Sequence, residues 1–235
     1  MRNPEKTDST RSTPTWTAKV LEIDRVLLNE YGTPDLGNLS DPTDELFYIL
    51  LSNRSDPNRY PDVFIKLKNH VGCWDRLDKV SIEEVSRLME PIGLASQRSE
   101  RFNKIAGILR ERLGSVSLES IAAWEVGDAL SFLKCLPGVG EKSARCVLMY
   151  CFGVDVFPID SHIMRVASRL GLIPRRTSVI EAQRRFDSKL PTGIAKQLHV
   201  NLIVHGREVC RPSSPQCPKC CLRGLCPKKG IPHSK

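Results

Sequence analysis

Cys210, Cys217, Cys220 and Cys226 are separated by six, two and five intervening residues near the C-terminus. Four thiolates at such spacing can bind a zinc ion or a 4Fe-4S cluster. Structural zinc sites more often show two Cys-x2-Cys pairs; only one exists here, which favours the cluster. Arg211, Lys219, Arg223, Lys228 and Lys229 lie in the same loop, a density of positive charge suited to phosphate contacts. A second stretch, Leu136 to Leu148, reads Leu-Pro-Gly-Val-Gly-Glu-Lys-Ser-Ala-Arg-Cys-Val-Leu. Pro137 stops one helix, and Gly138 and Gly140 permit positive φ and close backbone approach. Helix then resumes, so backbone N–H groups converge on an anion at its start. With 35 basic and 27 acidic residues the chain carries a net charge of +8, and DNA phosphate is the natural anion.

The elements that must position these residues are helices. No convincing alternating strand appears, so the expected fold class is all-α, with about ten helices. Val20, Ile23, Leu27 and Tyr31 form one stripe over Trp16–Tyr31. Asp41-Pro42 offers an N-cap and an N1 proline for a helix ending near Ser52. Ser81 with Glu84 and Ser178 with Glu181 are capping boxes. Gly93-Leu94 turns into a long basic helix with Phe102, Ile105 and Leu109 inward, ended by Gly114. Asp160 is placed to cap a helix whose Ile163, Val166 and Leu170 share one face. A last helix, near Ile194–Val209, delivers the chain to the cysteines.

A chain of 235 residues can form one large domain or two small ones. No apolar run approaches the ~20 residues needed to cross a bilayer, which excludes a helical membrane anchor. Residues 1–15, rich in Ser, Thr, Pro and charge, read as a disordered tail rather than a signal peptide. Nine cysteines in a chain of this length do not suggest a secreted disulfide scaffold. Cys73, Cys135, Cys146 and Cys151 read as small buried hydrophobes, and no role is assigned to Cys221.

Leu136-Pro137-Gly138-Val139-Gly140, followed by Lys142-Ser143-Ala144, resembles the helix-hairpin-helix of the endonuclease III family of DNA glycosylases. Pro158-Ile159-Asp160-Ser161-His162 resembles that family's aspartate segment, with Asp160 18 residues beyond Lys142. The cysteine quartet repeats its iron-sulfur spacing. Together the motifs cover roughly Asp41 to Cys226.

The resemblance implies two helical domains, one over 44–154 containing the hairpin and one joining 16–43 to 155–235 around a 4Fe-4S cluster. It implies a base-excision glycosylase and abasic-site lyase acting as a monomer on double-stranded DNA, intracellular, in cytoplasm or nucleoid. Lys142 is then the nucleophile that forms a Schiff base, and Asp160 organises protons and stabilises the oxocarbenium-like state. A lysine is ordinarily protonated up to about pH 10.4. A helix start, burial and the nearby Arg145 and Lys134 favour its neutral amine, whereas a close Asp160 opposes it. Gly138, Val139 and Gly140 would grip the backbone with Arg211. Arg54, in Leu51-Ser52-Asn53-Arg54 where the family has glutamine, and Leu94 would fill the space left by a flipped nucleotide. An oxidised pyrimidine is the expected base; a mismatched thymine or uracil, or 5-methylcytosine, are alternatives. A non-catalytic DNA-binding or redox-sensing protein is the alternative of another class.

Overall fold

The computed structural model describes residues 15–228, so residues 1–14 of the expected tail lie outside the described residues. Thr15, the tail's last residue, instead caps a helix by accepting from Ala18 N at 3.2 Å. Among the described residues there are ten α-helices and no strand. They are α1 (Trp16–Tyr31), α2 (Pro42–Ser52), α3 (Tyr60–Val71), α4 (Ile82–Met89) and α5 (Ala95–Leu113). The second five are α6 (Val126–Cys135), α7 (Glu141–Phe152), α8 (Ser161–Leu170), α9 (Val179–Lys189) and α10 (Ala195–Glu208). Short 3-10 turns at 74–79, 90–92 and 119–123 lie between helices, and one at 217–219 follows α10. No described helix is long and apolar enough to cross a membrane.

The helix ends follow local chemistry. Both capping boxes form, and Asp41 accepts from Thr43 N and Asp44 N at the start of α2. Gly114 closes α5 in the left-handed conformation. These ends depend on residues within one turn, so each forms wherever its helix can bury a stripe.

The buried side chains form two clusters. One gathers α2 to α7 around Leu46, Phe47, Trp74, Phe102 and Leu133, with Phe47 and Phe102 ring centroids 4.4 Å apart. The other joins α1 to α8, α9, α10 and Leu222, where Phe157 stacks on Phe186 at 4.7 Å. α2 packs on α7, α6 on α7, and α10 on both α1 and α8. Consequently α7 belongs to one core and α8 to the other, with residues 153–160 running between them. Cys146 is buried and Cys151 half-buried, but Cys73 and Cys135 are exposed, contrary to expectation. Cys73 follows the Gly72 cap of α3 and Cys135 ends α6; both face solvent while Val71, Trp74, Leu133 and Leu136 beside them face the first core.

Candidate active site and DNA interface

α6 stops at Cys135, and Leu136-Pro137-Gly138 reverses the chain into α7. Gly138 has φ 79°, and a Cβ there would stand 2.6 Å from Arg101 Nε on α5. The positive φ calls for glycine, whereas the Arg101 side chain could swing aside from a Cβ. Gly140 differs from expectation: its φ of −94° and ψ of 178° are extended, and a Cβ would meet nothing within 4 Å. It serves as the N-cap of α7 without a side-chain hydrogen bond, which leaves first-turn N–H groups open to an anion. Val139 is buried, and its N–H already donates to Leu136 O at 3.1 Å, so its amide is engaged within the turn. Arg101, lying across the hairpin, is a cation that spacing did not single out. Its position on a basic helix was the only available signal.

Lys142 is the second residue of α7, and Asp160 is the N-cap of α8, accepting from Ile163 N at 2.8 Å. Both are half-buried. They act on the same buried groups. Burial pushes the Cys146 thiol up to about 11, with the charge of Lys142 opposing that shift and Asp160 adding to it. His199 of α10 feels both Asp160 and Lys142 and is held down to about 4, chiefly by burial. Its Nδ1 lies 2.9 Å from Pro158 O, so that nitrogen carries the proton, while Nε2 has no hydrogen-bond partner. Glu45 of α2 is fully buried. Its carboxylate accepts from Asn38 Nδ2 and from Leu39 N at 2.7 Å. Burial pushes Glu45 up, against those hydrogen bonds and the positive charge of Lys142. Tyr150, raised mainly by burial, stands edge-on to His199 at 6.0 Å. Glu45, Tyr150 and His199 were not singled out by spacing, because they come from α2, α7 and α10, far apart in the chain.

The cations expected to press on Lys142 are otherwise engaged. Arg145 makes a bidentate pair with Asp187 of α9 at 2.9 Å and bonds Glu141 at 2.7 Å; Lys134 pairs with Glu141 at 2.6 Å. Their charges are met by carboxylates, so they brace α7.

Arg54 and Leu94 lie elsewhere on the first core. Both are exposed, Leu94 by 55%, and both take left-handed backbone, with φ 58° and 53°. That conformation costs a non-glycine residue about 1–2 kcal/mol. A leucine held there in solvent serves neither the core nor the turn. Arg211 is exposed in the cysteine loop, and its carbonyl accepts from Arg169 Nη1 at 2.7 Å.

Cys210, Cys217, Cys220 and Cys226 line a single cavity, walled otherwise by Val166, Leu170, Leu222 and their neighbours; Cys221 lies outside that lining. Donors converge on the sulfurs. Arg169 Nη1, on a buried side chain, reaches Cys210 Sγ at 3.3 Å, Lys228 N reaches Cys226 Sγ at 3.4 Å, and His205 Nε2 lies 3.6 Å from Cys220 Sγ. Four thiolates in an apolar cavity with N–H donors and a buried cation fit an anionic sulfur-ligated group.

No family model matches the chain. Endonuclease III of Thermotoga maritima is 29% identical over 187 residues, covering 80% of this chain and 83% of that protein. Endonuclease III of Escherichia coli K12 is 29% identical over 201 residues, covering 86% and 90%. That of Bacillus subtilis is 33% identical over 147 residues, or 63% of each. Among solved structures, a trapped endonuclease III–DNA covalent intermediate superposes with a TM-score of 0.80 at 25% identity, over 92% of this chain and 97% of that one. A thermostable thymine-DNA glycosylase shares the fold, with a TM-score of 0.78 at 20% identity over 89% and 96%.

Proposed function

The chain belongs to the endonuclease III family, and from that premise we propose that it is a bifunctional DNA glycosylase and abasic-site lyase of base excision repair. The observation that carries this reading is the shared surroundings of Lys142 and Asp160, which bear on the same Cys146 and His199 from opposite cores. Lesion-bearing double-stranded DNA is the substrate, and an oxidised pyrimidine is the base we assign. We assign the two cores to domains at 44–154 and at 16–43 with 155–235, of which residues 229–235 lie outside the described residues.

Lys142 attacks the sugar C1′ through its amine nitrogen. The bond from C1′ to the base breaks, the base leaves with the electron pair and gains a proton, and the lysine is left as an iminium on the opened sugar. Removal of a C2′ proton then expels the 3′ phosphate by β-elimination. Asp160, already anchored by Ile163 N, orients protons and faces the positive charge that builds at C1′. First-turn amides of α7, with Arg101 and Arg211, hold phosphates, while Arg54 and Leu94 occupy the space left in the stack. Cys210, Cys217, Cys220 and Cys226 would hold a 4Fe-4S cluster, which supplies cross-linking to the basic loop.

Borohydride reduction tests this reading. The wild-type protein should be trapped covalently on lesion duplex, Lys142→Ala should not, and Asp160→Asn should be slowed by two or more orders of magnitude. A panel of oxidised, mismatched and methylated duplexes, scored separately for base release and nicking, identifies the base. Unreduced activity in Lys142→Ala would remove the assignment.

A further inference from the structure

Arg98, in the first turn of α5, is only 4% exposed, yet it reaches two loops at once. Its Nε donates to Gly93 O at 3.0 Å, and its backbone N–H to Leu94 O at 3.0 Å. On the other side, Nη1 donates to Leu50 O at 2.8 Å and Leu51 O at 3.4 Å. Nη2 donates to Asn53 O at 2.8 Å and Ser55 Oγ at 3.0 Å. The guanidinium thus grips four carbonyl oxygens and one hydroxyl. Its charge faces the carbonyl end of α2, where a cation is favoured.

What it grips is specific. Asn53 and Ser55 flank Arg54, while Gly93 and Leu94 form the Leu94 loop itself. Of the three non-glycine residues with positive φ among the described residues, two are Arg54 and Leu94. A strained conformation persists only where its surroundings over-determine it. The guanidinium supplies contacts to both loops from one rigid plane, with donors pointing in three directions. A lysine ammonium at the end of a flexible stem cannot reproduce that fork.

We propose that Arg98 is a positioning residue that ties the Arg54 loop and the Leu94 loop into one preorganised probe, so that both side chains enter the duplex in a fixed relation. The inference rests on the reading that these two side chains fill the space of a flipped nucleotide. Without the tie, each loop would have to be ordered separately at the moment of DNA entry, and excision would slow.

A double-mutant cycle tests it, using the full chain and single-turnover excision from lesion duplex, with a thermal melt on every variant. Leu94→Ala and Arg54→Ala should each slow excision roughly tenfold, and Arg98→Lys at least as much. Combined with Arg98→Lys, either alanine substitution should add no more than about a twofold loss. Effects that multiply, or an Arg98→Lys enzyme within about twofold of wild type, would show that Arg98 only caps α2. If Arg98→Lys does not fold, Ser55→Ala removes the Arg98 contact on the Arg54 side together with the Ser55 Oγ bond to Leu51 O. Its expected loss of about threefold should vanish in the Arg54→Ala background, and persistence there counts against the tie. Wild-type activity in both alanine variants would instead refute the space-filling reading. A wild-type enzyme that releases no base would refute the proposed function, and the tie falls with either.

Discussion

His199 presents the pH dependence of this fold in one side chain. It is fully buried, its Nδ1–H is committed to Pro158 O, and burial holds the ring down to about 4 from an ordinary 6.5. Asp160 and the Pro158 carbonyl pull the other way, while Lys142 adds to the depression. Between those two values the unfolded chain binds a proton that the folded chain refuses. Stability from this group is therefore complete above pH 6.5 and is lost as pH falls toward 4. From pH 7 to pH 5 the loss amounts to at most about 2 kcal/mol. Glu45, raised by burial, contributes with the opposite slope, so the wild-type profile alone mixes the two. Urea unfolding at pH 7 and pH 5 separates them: His199→Gln should lose less stability over that interval than wild type. An identical loss in both proteins would place the acid sensitivity elsewhere.

At the scale of elements, the brace between α7 and α9 decides where Lys142 stands. Arg145 lies three residues beyond Lys142, and its bidentate pair with Asp187 crosses from one core to the other. Gln183 Nε2 reinforces it by donating to Asp187 Oδ1 at 3.0 Å and to Phe157 O at 2.8 Å. Arg145 is buried and Asp187 half-exposed, so the pair is screened on one side only. Asp187→Asn should lower stability by about 1–2 kcal/mol and Arg145→Met by more, with a coupling of about 1 kcal/mol in the double mutant. Denaturant midpoints measure this, and strict additivity would make the pair inert. Spacing read the helices well and the brace not at all. Asp41, the two serine capping boxes, Gly114 and Asp160 act within one turn, so each end was legible from neighbouring residues. Lys142 and Asp160 were singled out through their motifs. Arg145 with Asp187, Arg98 with Leu50 and His199 with Pro158 meet across more than forty residues, and only packing brings them together. Arg145 was accordingly read as a bare charge pressing on Lys142, when its charge is spent on Asp187.

Over the whole molecule, the two cores leave one segment that neither can hold by apolar burial. From Val209 to Lys228, Leu222 is the one buried side chain among the described residues, and that stretch otherwise contributes turns, prolines and exposed cations. So little apolar area cannot offset the ordering of about twenty residues, at about 1–2 kcal/mol each. Ligation through four thiolates can, because binding energy available only to the ordered loop is folding energy for that loop. The ten helices stand on their own cores and need no such help. Where the four thiolates hold the proposed cluster, removing it with acid and chelator should therefore leave helical circular dichroism close to that of the loaded protein. It should loosen the backbone around Lys219 and Arg223, whose side chains already face solvent, so that trypsin cleavage begins in this loop before any helix is cut. DNA affinity should fall and its salt dependence flatten, since these cations would no longer be presented together. Loss of helix in step with the metal would instead mean that α8 and α10, which wall the cysteine cavity, depend on it as well.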